Sequence, residues 1–331
     1  MQIAKLGKWV LVTGLITLIA VGLAACGEKE KPTIVFSDLS WSSAQIQNAI
    51  ARQIIEHGYG YPTDSFFGNT IPLMEALSSG DTHVTMEIWL PNQQAAWDVV
   101  LAEGQIEVLG KSLEDNWQSA FVIPTYVADA NPGLKSVTDL PDYAHLFTSP
   151  QTGNKARLLN CPPGFACEEV NEKKVLGYDL GEYVEPFNPG SITALDAEVL
   201  TAFQKQEPIL FYYWGPTTLA NRLKTEFGGY TILEEPEYTE ECWASDMACA
   251  YPVAEVFIAM GNNMIDEAPE VADLLRKWDF SAGNQIAAET YMNESGAEFE
   301  GVAVWFLRNT DEWKSWVDEA VAQRVLDGIA G

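Results

Sequence analysis

Short apolar runs alternate with amphipathic segments in the first part of the chain. Residues 33–36 are β-branched and aromatic, which is typical of a buried strand. A helix is predicted to begin at Ser42 or Ser43, because apolar residues then recur at helical spacing. A second helix is predicted to begin at Thr70, with Pro72 in its first turn. The hydrophobic pattern therefore predicts strands that alternate with helices.

The same alternation continues towards the C-terminus. Residues 84–89 and 209–214 are predicted strands, and residues 168–176 and 193–204 are predicted helices. A last helix is predicted over residues 310–321, with its two tryptophans packed in the core. Strands and helices in alternation predict an α/β fold.

The longest apolar run, residues 9–25, lies at the N-terminus. Lys5 and Lys8 precede this run, and the polar residues 27–30 follow it closely. A basic segment, an apolar segment and small residues before a cleavage point indicate a secretory signal, which we assign to residues 1–25. No other stretch is long and apolar enough to cross a bilayer, so the rest is expected to be a soluble domain outside the cytoplasm.

Cys26 follows this signal directly, and Leu23-Ala24-Ala25-Cys26 resembles the lipobox of bacterial lipoproteins. The resemblance implies cleavage before Cys26, a diacylglycerol group on its sulfur and a lipid-anchored linker over residues 26–31. An uncleaved membrane anchor is the alternative, because the 17 apolar residues lie near the short limit for a membrane span. The protein is therefore expected to be lipid-anchored to a bacterial membrane, at the cell surface or in the periplasm.

Length and charge limit the possible classes of protein. About 306 residues remain after the signal, which exceeds the size at which a single core stops growing and predicts two lobes. The formal charge is −28, and it becomes −30 when Lys5 and Lys8 leave with the signal. This charge argues against nucleic acid or anionic lipid surfaces as partners. It is compatible with a cationic ligand, although solubility in salty surroundings is the simpler interpretation.

Four cysteines remain after Cys26, and they form two close pairs, Cys161 with Cys167 and Cys242 with Cys249. Four cysteines allow three connectivities, and pairing within each local pair is favoured in an oxidising compartment. A zinc site with four thiolates is the alternative, but neither pair has the short gap of two to four residues that is usual in zinc sites. No metal or other cofactor is predicted.

Two tryptophans occupy matching places in the two halves of the chain. Trp89 ends one predicted strand shortly before Pro91, and Trp214 ends another shortly before Pro216. Each therefore lies at the carboxyl end of a strand and beside a helix N-terminus, which is the edge where open α/β sheets bind ligands. A core or rim position would explain either tryptophan alone, whereas the matched pair favours a shared ligand cleft.

The stretch NCPPGFACE, residues 160–168, is predicted to form a tight loop that leads into a helix. The backbone N–H groups of Ala166 and Cys167 are predicted to face the cleft, where a helix N-terminus favours a carboxylate. Phe165 is predicted to stand beside them as an aromatic wall. The loop would thus offer one ligand both an anion site and a ring face.

With these stretches considered together, the sequence resembles the substrate-binding proteins of glycine betaine/proline betaine ABC transporters. The resemblance extends over most of the mature chain and rests on the segments EIWLPNQ, NCPPGFACE, EPILFYYWGP, AYPVAEVFIAMGN and WKSWVDEAV. It implies a two-lobed, periplasmic-binding-protein-like fold with two hinge crossings and a central ligand cleft. It also implies a small quaternary ammonium ligand, and as partners an ABC transporter permease and its ATPase.

In that family three tryptophans surround the quaternary ammonium group, and backbone amides of a disulfide loop hold the ligand carboxylate. Trp89 and Trp214 match two of the three tryptophans, and the two cysteines of the loop at residues 160–168 match its disulfide. Phe165 stands where the middle tryptophan is expected, and Gln93 replaces a nearby histidine. These departures bear on the identity and affinity of the ligand and leave the mode of recognition unchanged.

A trimethylammonium group carries charge but has no N–H, so aromatic ring faces recognise it, each contributing about 0.5 to 2 kcal/mol. Trp41 and Trp243 are candidates for additional cage walls, with rim packing as the alternative for both. Period-two alternation places Glu87 on the face of its strand that carries Trp89. A carboxylate there would favour choline over a zwitterion, unless Glu87 faces solvent or forms a salt bridge.

Two crossings between lobes are predicted, near residues 121–124 and near residues 251–254. They divide the chain into a discontinuous lobe 1, residues 32–123 plus 254–331, and a continuous lobe 2, residues 124–253. Two crossings suit a hinge that closes about a ligand.

Other classes of protein explain fewer of these features. The histidines His57, His83 and His145 belong to no metal or triad motif, and HExxH, GxSxG and a phosphate-binding glycine loop are absent from the sequence. A secreted lipoprotein enzyme is therefore the weaker alternative, and a scaffold lipoprotein would not need paired tryptophans. The sequence predicts a receptor without catalytic activity for glycine betaine or proline betaine, with choline or a sulfonium osmolyte such as dimethylsulfoniopropionate as alternatives.

Overall fold

The computed structural model describes residues 30–114 and 118–330. The predicted signal over residues 1–25, the predicted lipidation site Cys26 and most of the linker lie outside the described residues. Within the described ranges, no helix has the length and apolar character needed to cross a membrane.

Ten strands and fourteen α-helices alternate along the described residues. The strands are β1 Ile34–Leu39, β2 Thr63–Gly68, β3 Val84–Leu90, β4 Ile106–Lys111, β5 Gln118–Pro124, β6 Ala156–Leu159, β7 Val184–Phe187, β8 Leu210–Gly215, β9 Tyr230–Ile232 and β10 Glu255–Gly261. The helices are α1 Ser42–Gln53, α2 Thr70–Ser79, α3 Gln94–Ala102, α4 Thr125–Ala130, α5 Leu140–Tyr143, α6 Ala166–Gly177, α7 Ile192–Lys205, α8 Thr218–Glu226, α9 Glu240–Trp243, α10 Asn262–Glu267, α11 Pro269–Arg276, α12 Ala282–Ser295, α13 Phe299–Asn309 and α14 Glu319–Gly328. The π-helix Ile54–Tyr59 continues α1. Three 3-10 helices connect some of the longer elements: Val137–Asp139, Ala144–Leu146 and Glu312–Ser315. This alternation confirms the predicted α/β fold.

The strands form two five-stranded sheets with the same internal design. The first sheet has the order β2-β1-β3-β10-β4, and the second has the order β7-β6-β8-β5-β9. In each sheet the first three strands are parallel, and the fourth strand, β10 or β5, runs antiparallel to both neighbours. Two mixed sheets with their helices give the two-lobed fold that the sequence predicted.

Each antiparallel strand comes directly after the chain has crossed from the other sheet. Strand β5 follows β4 of the first sheet, and β10 follows β9 of the second sheet. The predicted first crossing, at residues 121–124, lies inside β5, where Phe121 pairs with Tyr212 of β8. The boundary after residue 123 is therefore corrected: the chain enters the second lobe before Gln118, because β5 is a strand of the second sheet. The return crossing ends at β10, which begins at Glu255.

Helices α1 and α2 begin where the hydrophobic pattern predicts. Helix α1 begins at Ser42 and buries Ile46, Ala49 and Ile50. Helix α2 begins at Thr70 and ends before Gly80, whose φ of 82° is the left-handed conformation that favours glycine. Buried apolar faces at helical spacing thus fix the helices against the sheets.

The prediction of a last helix over residues 310–321 is wrong about the residue at which the helix begins. Residues Glu312–Ser315 form a 3-10 helix, and α14 begins only at Glu319. The two tryptophans of this segment, Trp313 and Trp316, are buried in the core as predicted. The ring centroids of Trp316 and Trp278 lie 4.2 Å apart.

Candidate functional site

A cavity lies at the carboxyl ends of β3 and β8, between residues of the two sheets. Its lining comes from the β1–α1 turn, the start of α2, the ends of β3 and β8, strand β5 and the loop before α6. The lining residues are Trp41, Thr70, Trp89, Asn92, Gln93, Ser119, Phe165, Ala166, Cys167, Tyr212 and Trp214. The structure therefore brings together the three predicted cage residues, one of the two candidate extra walls and both predicted backbone amide positions. We refer to Trp41, Trp89, Phe165 and Trp214 as the aromatic cage.

Trp41 and Trp89 are tied to a single carboxylate behind the cavity. The indole N–H groups of both donate to Oε2 of Glu87, over 2.7 Å from Trp41 and 2.9 Å from Trp89. The side chain of Gln93, which stands where the family histidine is expected, accepts from the backbone N–H of Trp89 over 3.1 Å. Hydrogen bonds as well as packing therefore fix the orientation of both rings.

Glu87 neither faces solvent nor forms a salt bridge in the described part of the chain, which are the two environments the sequence favoured. It is 1% exposed, and its Oε1 accepts from Nε2 of Gln47 over 2.8 Å. Burial raises the pKa of Glu87 to about 7, and hydrogen bonds, the largest from Trp41, oppose this rise. The carboxyl group is thus poised to change its charge near neutral pH.

Trp214 contributes a ring from the second lobe. It lies near the end of β8, where it pairs with Ser119 of β5. Its ring stacks on that of Tyr213, with centroids 4.8 Å apart and planes at 24°. Because Trp214 is only half-buried and lines the cavity, part of its ring surface is available to a ligand.

Phe165 lies immediately before α6 and contacts a cage residue of the other lobe. Its ring centroid is 5.5 Å from that of Trp41, with the planes at 48°. Only 8% of Phe165 is exposed. The place where the family expects a third tryptophan is therefore occupied by a smaller ring that packs beside Trp41.

The loop that carries Phe165 makes close contact with the first lobe. Asn69 donates from Nδ2 to the carbonyl oxygen of Pro163 over 2.6 Å, and the N–H of Ile71 donates to the carbonyl oxygen of Gly164 over 3.2 Å. Gly164 has φ of 83°, and a Cβ on it would lie 3.3 Å from Cβ of Asn69. Glycine therefore permits both the turn and the close approach of the two lobes.

Both local cysteine pairs are joined as disulfides. Cys161 and Cys167 have Cα atoms 6.0 Å apart, and Cys242 and Cys249 have Cα atoms 6.4 Å apart. The first disulfide closes the loop that carries Phe165. Among the described residues, no group of histidine, cysteine and carboxylate side chains is arranged to hold a metal ion.

Several polar groups of the cavity have no hydrogen-bond partner within the described ranges. The backbone N–H groups of Ala166 and Cys167 are the first two of α6, and neither donates to another described residue. Thr70 Oγ1 and Asn92 Oδ1 are buried and also have no described partner. Free amides at a helix N-terminus favour an anion, so these groups can receive the polar end of a ligand.

Ser119 and Tyr212 form a polar part of the cavity lining that was not predicted from the sequence. The Tyr212 hydroxyl donates to Oγ of Ser119 over 3.0 Å, and both residues line the cavity. Burial raises the pKa of Tyr212 to about 12, so its hydroxyl keeps its proton at neutral pH. Strand alternation could have found Tyr212, which shares a face of β8 with Trp214. Ser119 could not be found in this way, because its strand was assigned to the other lobe.

Trp243, the second candidate extra wall, is not part of the cavity lining. Its ring packs near those of Tyr238 and Tyr251, with centroids 6.0 Å and 5.4 Å away. Its indole N–H donates to the carbonyl oxygen of Pro91 over 3.4 Å, which connects the second lobe to the first. Trp243 therefore corresponds to the packing alternative that the sequence left open.

Comparison with known proteins identifies a transport family. Residues 32–309 match the family model OpuAC, described as the substrate binding domain of ABC-type glycine betaine transport system. The trimethylamine N-oxide-binding protein of Pelagibacter ubique is 24% identical over 88% of this chain and 92% of its own length. The glycine betaine/proline betaine-binding periplasmic protein of Escherichia coli is 22% identical over 75% of this chain and 77% of its own length.

A solved structure confirms the architecture. The glycine/betaine/L-proline-binding protein of Borrelia burgdorferi aligns with a TM-score of 0.73 at 17% identity, over 88% of this chain and 99% of that chain. At this level of identity the likeness establishes the fold, and the ligand must be argued from the cavity itself.

Proposed function

Because the chain belongs to the OpuAC family of substrate-binding domains of ABC-type glycine betaine transport systems, we propose that it captures a quaternary ammonium osmolyte and delivers it to an ABC permease. Glycine betaine and proline betaine are the first candidate ligands. The family consists of transport proteins, so the proposed activity is binding and release of an unchanged ligand.

The observation that carries this proposal is the convergence of four aromatic side chains on one cavity. A quaternary ammonium group has no N–H to donate, so a ring face is the natural partner for its charge, at about 0.5 to 2 kcal/mol per ring. Trp41 compensates for the phenylalanine at position 165, since it provides a third indole to the cage. Three tryptophans and one phenylalanine are therefore proposed to hold the trimethylammonium head.

The polar end of the ligand is proposed to lie at the start of α6. The N–H groups of Ala166 and Cys167 and the hydroxyl of Thr70 suit a carboxylate there, because none of the three has a hydrogen-bond partner among the described residues. The contacts of Asn69 with the loop before α6 join the lobes beside these groups. Such contacts suit a hinge protein that closes when its ligand is bound.

Trimethylamine N-oxide is a second candidate because it has the same methylated head with a single oxygen as its polar end. A relative that aligns over 88% of this chain carries that ligand in its name. Ser119 accepts a hydrogen bond from Tyr212, which leaves its own hydroxyl hydrogen free to donate towards such an oxygen. Choline and sulfonium osmolytes remain alternatives with related head groups.

The proposed site of action is outside the cytoplasm of a bacterium. The predicted signal over residues 1–25 and the lipobox before Cys26 support export and attachment of a lipid. A lipid anchor would keep the protein close to its permease, which a cytoplasmic ATPase drives. The formal charge of −28 argues against a nucleic acid partner.

Intrinsic tryptophan fluorescence provides the test. The protein is titrated with glycine betaine, proline betaine, choline, trimethylamine N-oxide and dimethylsulfoniopropionate, and with glycine as the unmethylated control. Saturable changes with at least one methylated ligand and none with glycine are expected. The proposal is rejected if no methylated ligand of this panel binds.

A further inference from the structure

Glu87 lies in the middle of β3, directly behind two residues of the aromatic cage. One oxygen of its carboxylate, Oε2, accepts from the indole N–H groups of both Trp41 and Trp89. The other oxygen, Oε1, accepts from Gln47. Two cage rings from different elements, the turn before α1 and the end of β3, therefore converge on a single acid.

We propose that Glu87 determines the specificity of the cage for a positively charged head group, by fixing Trp41 and Trp89 and by placing a negative charge behind their rings. This inference rests on the proposed function and deepens it, because it assigns charge selection to a residue outside the cavity lining. Ring quadrupoles alone attract a cation by the same amount at any pH. A carboxylate behind them adds an attraction that depends on its own ionisation.

Among the described residues, no positively charged side chain beside Glu87 neutralises its carboxylate, so a cationic ligand would provide the balancing charge. The groups that face it from α1 and β3 are uncharged: Trp41, Ser43, Gln47 and Trp89. The residues that line a small cavity together with Glu87 carry no titratable group either, namely Leu39, Thr70, Leu73, Met74, Leu77, Thr85 and Ile88. Within the described ranges, no lysine, arginine or histidine forms an ion pair with it.

Gln47 is itself held by a second set of partners. Its Oε1 accepts from Oγ of Ser112 over 2.9 Å and from the indole N–H of Trp278 over 2.8 Å. The amide nitrogen of Gln47 is therefore directed at Glu87 by its own hydrogen bonds. Hydrogen bonds from neighbouring side chains therefore hold the carboxylate in place.

The sign of the pH effect follows from this arrangement. Burial raises the pKa of Glu87 to about 7, so the carboxyl is partly protonated just below neutral pH. A cation in the cage favours the ionised form and lowers that pKa, so binding releases a proton and affinity rises with pH through this range. If binding lowers the pKa by one unit, affinity rises about five- to tenfold across the transition, with about half a proton released near its middle.

Calorimetric titration tests this inference from about pH 5.5 to about pH 8.5, which brackets the pKa of about 7. The probes are choline and its neutral isostere 3,3-dimethylbutan-1-ol, in two buffers that differ in ionisation enthalpy. Wild-type protein is expected to bind choline about five- to tenfold more tightly at the upper pH and to release a proton, whereas binding of the isostere does not change. Glu87→Gln is expected to remove the pH dependence and the proton release.

Asp196→Asn is the matched control. Burial raises the pKa of Asp196 to about 6, and its Oδ1 accepts from Tyr213 over 2.9 Å outside the aromatic cage. This variant is expected to keep the pH dependence. A pH dependence that vanishes in Asp196→Asn and persists in Glu87→Gln would overturn the assignment.

The pH dependence of choline binding to the wild-type protein tests the role of Glu87 even if Glu87→Gln fails to fold. Choline affinity that is constant across the pH range, with no proton released, contradicts the inference while leaving the proposed function intact. If choline and all the methylated osmolytes fail to bind at every pH, the proposed function itself fails and this inference falls with it.

Discussion

Replacement of Trp214 by alanine is the cleanest perturbation of the aromatic cage. Trp214 is half-buried, lines the cavity and stacks on Tyr213. Trp89 is less suitable, because its indole also donates to the buried carboxylate of Glu87, and its removal would disturb two interactions at once. The Trp214→Ala change therefore removes one ring face and leaves that hydrogen-bond network unchanged.

The size of the effect follows from what the ring can contribute. A tryptophan face contributes about 0.5 to 2 kcal/mol to the binding of a desolvated cation. Burial of the apolar ring against ligand methyl groups adds roughly 25 cal/mol for each square ångström removed from water. A total loss of about 1 to 3 kcal/mol is expected, which weakens binding by about 5- to 150-fold. Trp214→Phe keeps a weaker ring and is expected to lie between wild type and Trp214→Ala.

Isothermal titration calorimetry with the tightest ligand of the panel measures this loss. Trp305→Ala is the matched control, because Trp305 stacks on Tyr291 with centroids 4.7 Å apart and does not line the cavity. Thermal unfolding of each variant shows whether it is folded. A folded Trp214→Ala protein with wild-type affinity would refute the cage, and so would an equal loss in Trp305→Ala.

Further predictions concern the loop, the disulfides and the anchor. Phe165→Ala is expected to weaken binding of methylated ligands by about 1 to 2 kcal/mol in calorimetry, and unchanged affinity would remove Phe165 from the cage. Peptide mapping without reductant is expected to show only local linkages, and crossed linkages would contradict the loop geometry; the pairs are Cys161 with Cys167 and Cys242 with Cys249. Cys26→Ser is expected to abolish lipid labelling and normal processing, and normal labelling of that variant would contradict the lipobox.

The sequence predicted the parts of the site that depend on local pattern. Trp89 and Trp214 could be located because each ends an apolar run and is followed within two residues by a proline. Ala166 and Cys167 could be assigned to a helix N-terminus, because turn-forming residues precede them and a helical pattern follows. Such features are encoded within about ten residues of chain.

The parts that were missed depend on pairing over long distances. Strand β5 was assigned to the first lobe, because its apolar sequence does not reveal that it pairs with β8, more than eighty residues later. That error also hid Ser119. Glu87 and Trp89 were placed correctly on one face, but the turn that brings Trp41 to the same carboxylate belongs to another strand–helix unit. Burial of Glu87 beside two indole groups depends on tertiary contacts, which the alternation of residues along one strand does not reveal.

Recognition of the methyl groups of a charged head by ring faces is tested by comparing a methylated ligand with its unmethylated counterpart. Calorimetry measures the tightest ligand of the panel beside the same molecule without its methyl groups, such as glycine for glycine betaine or ethanolamine for choline. Because ammonium hydrogens demand acceptors that the aromatic cage does not offer, saturable binding is predicted for the methylated ligand alone. Equal affinity for both members of the pair would contradict the cage as the basis of recognition.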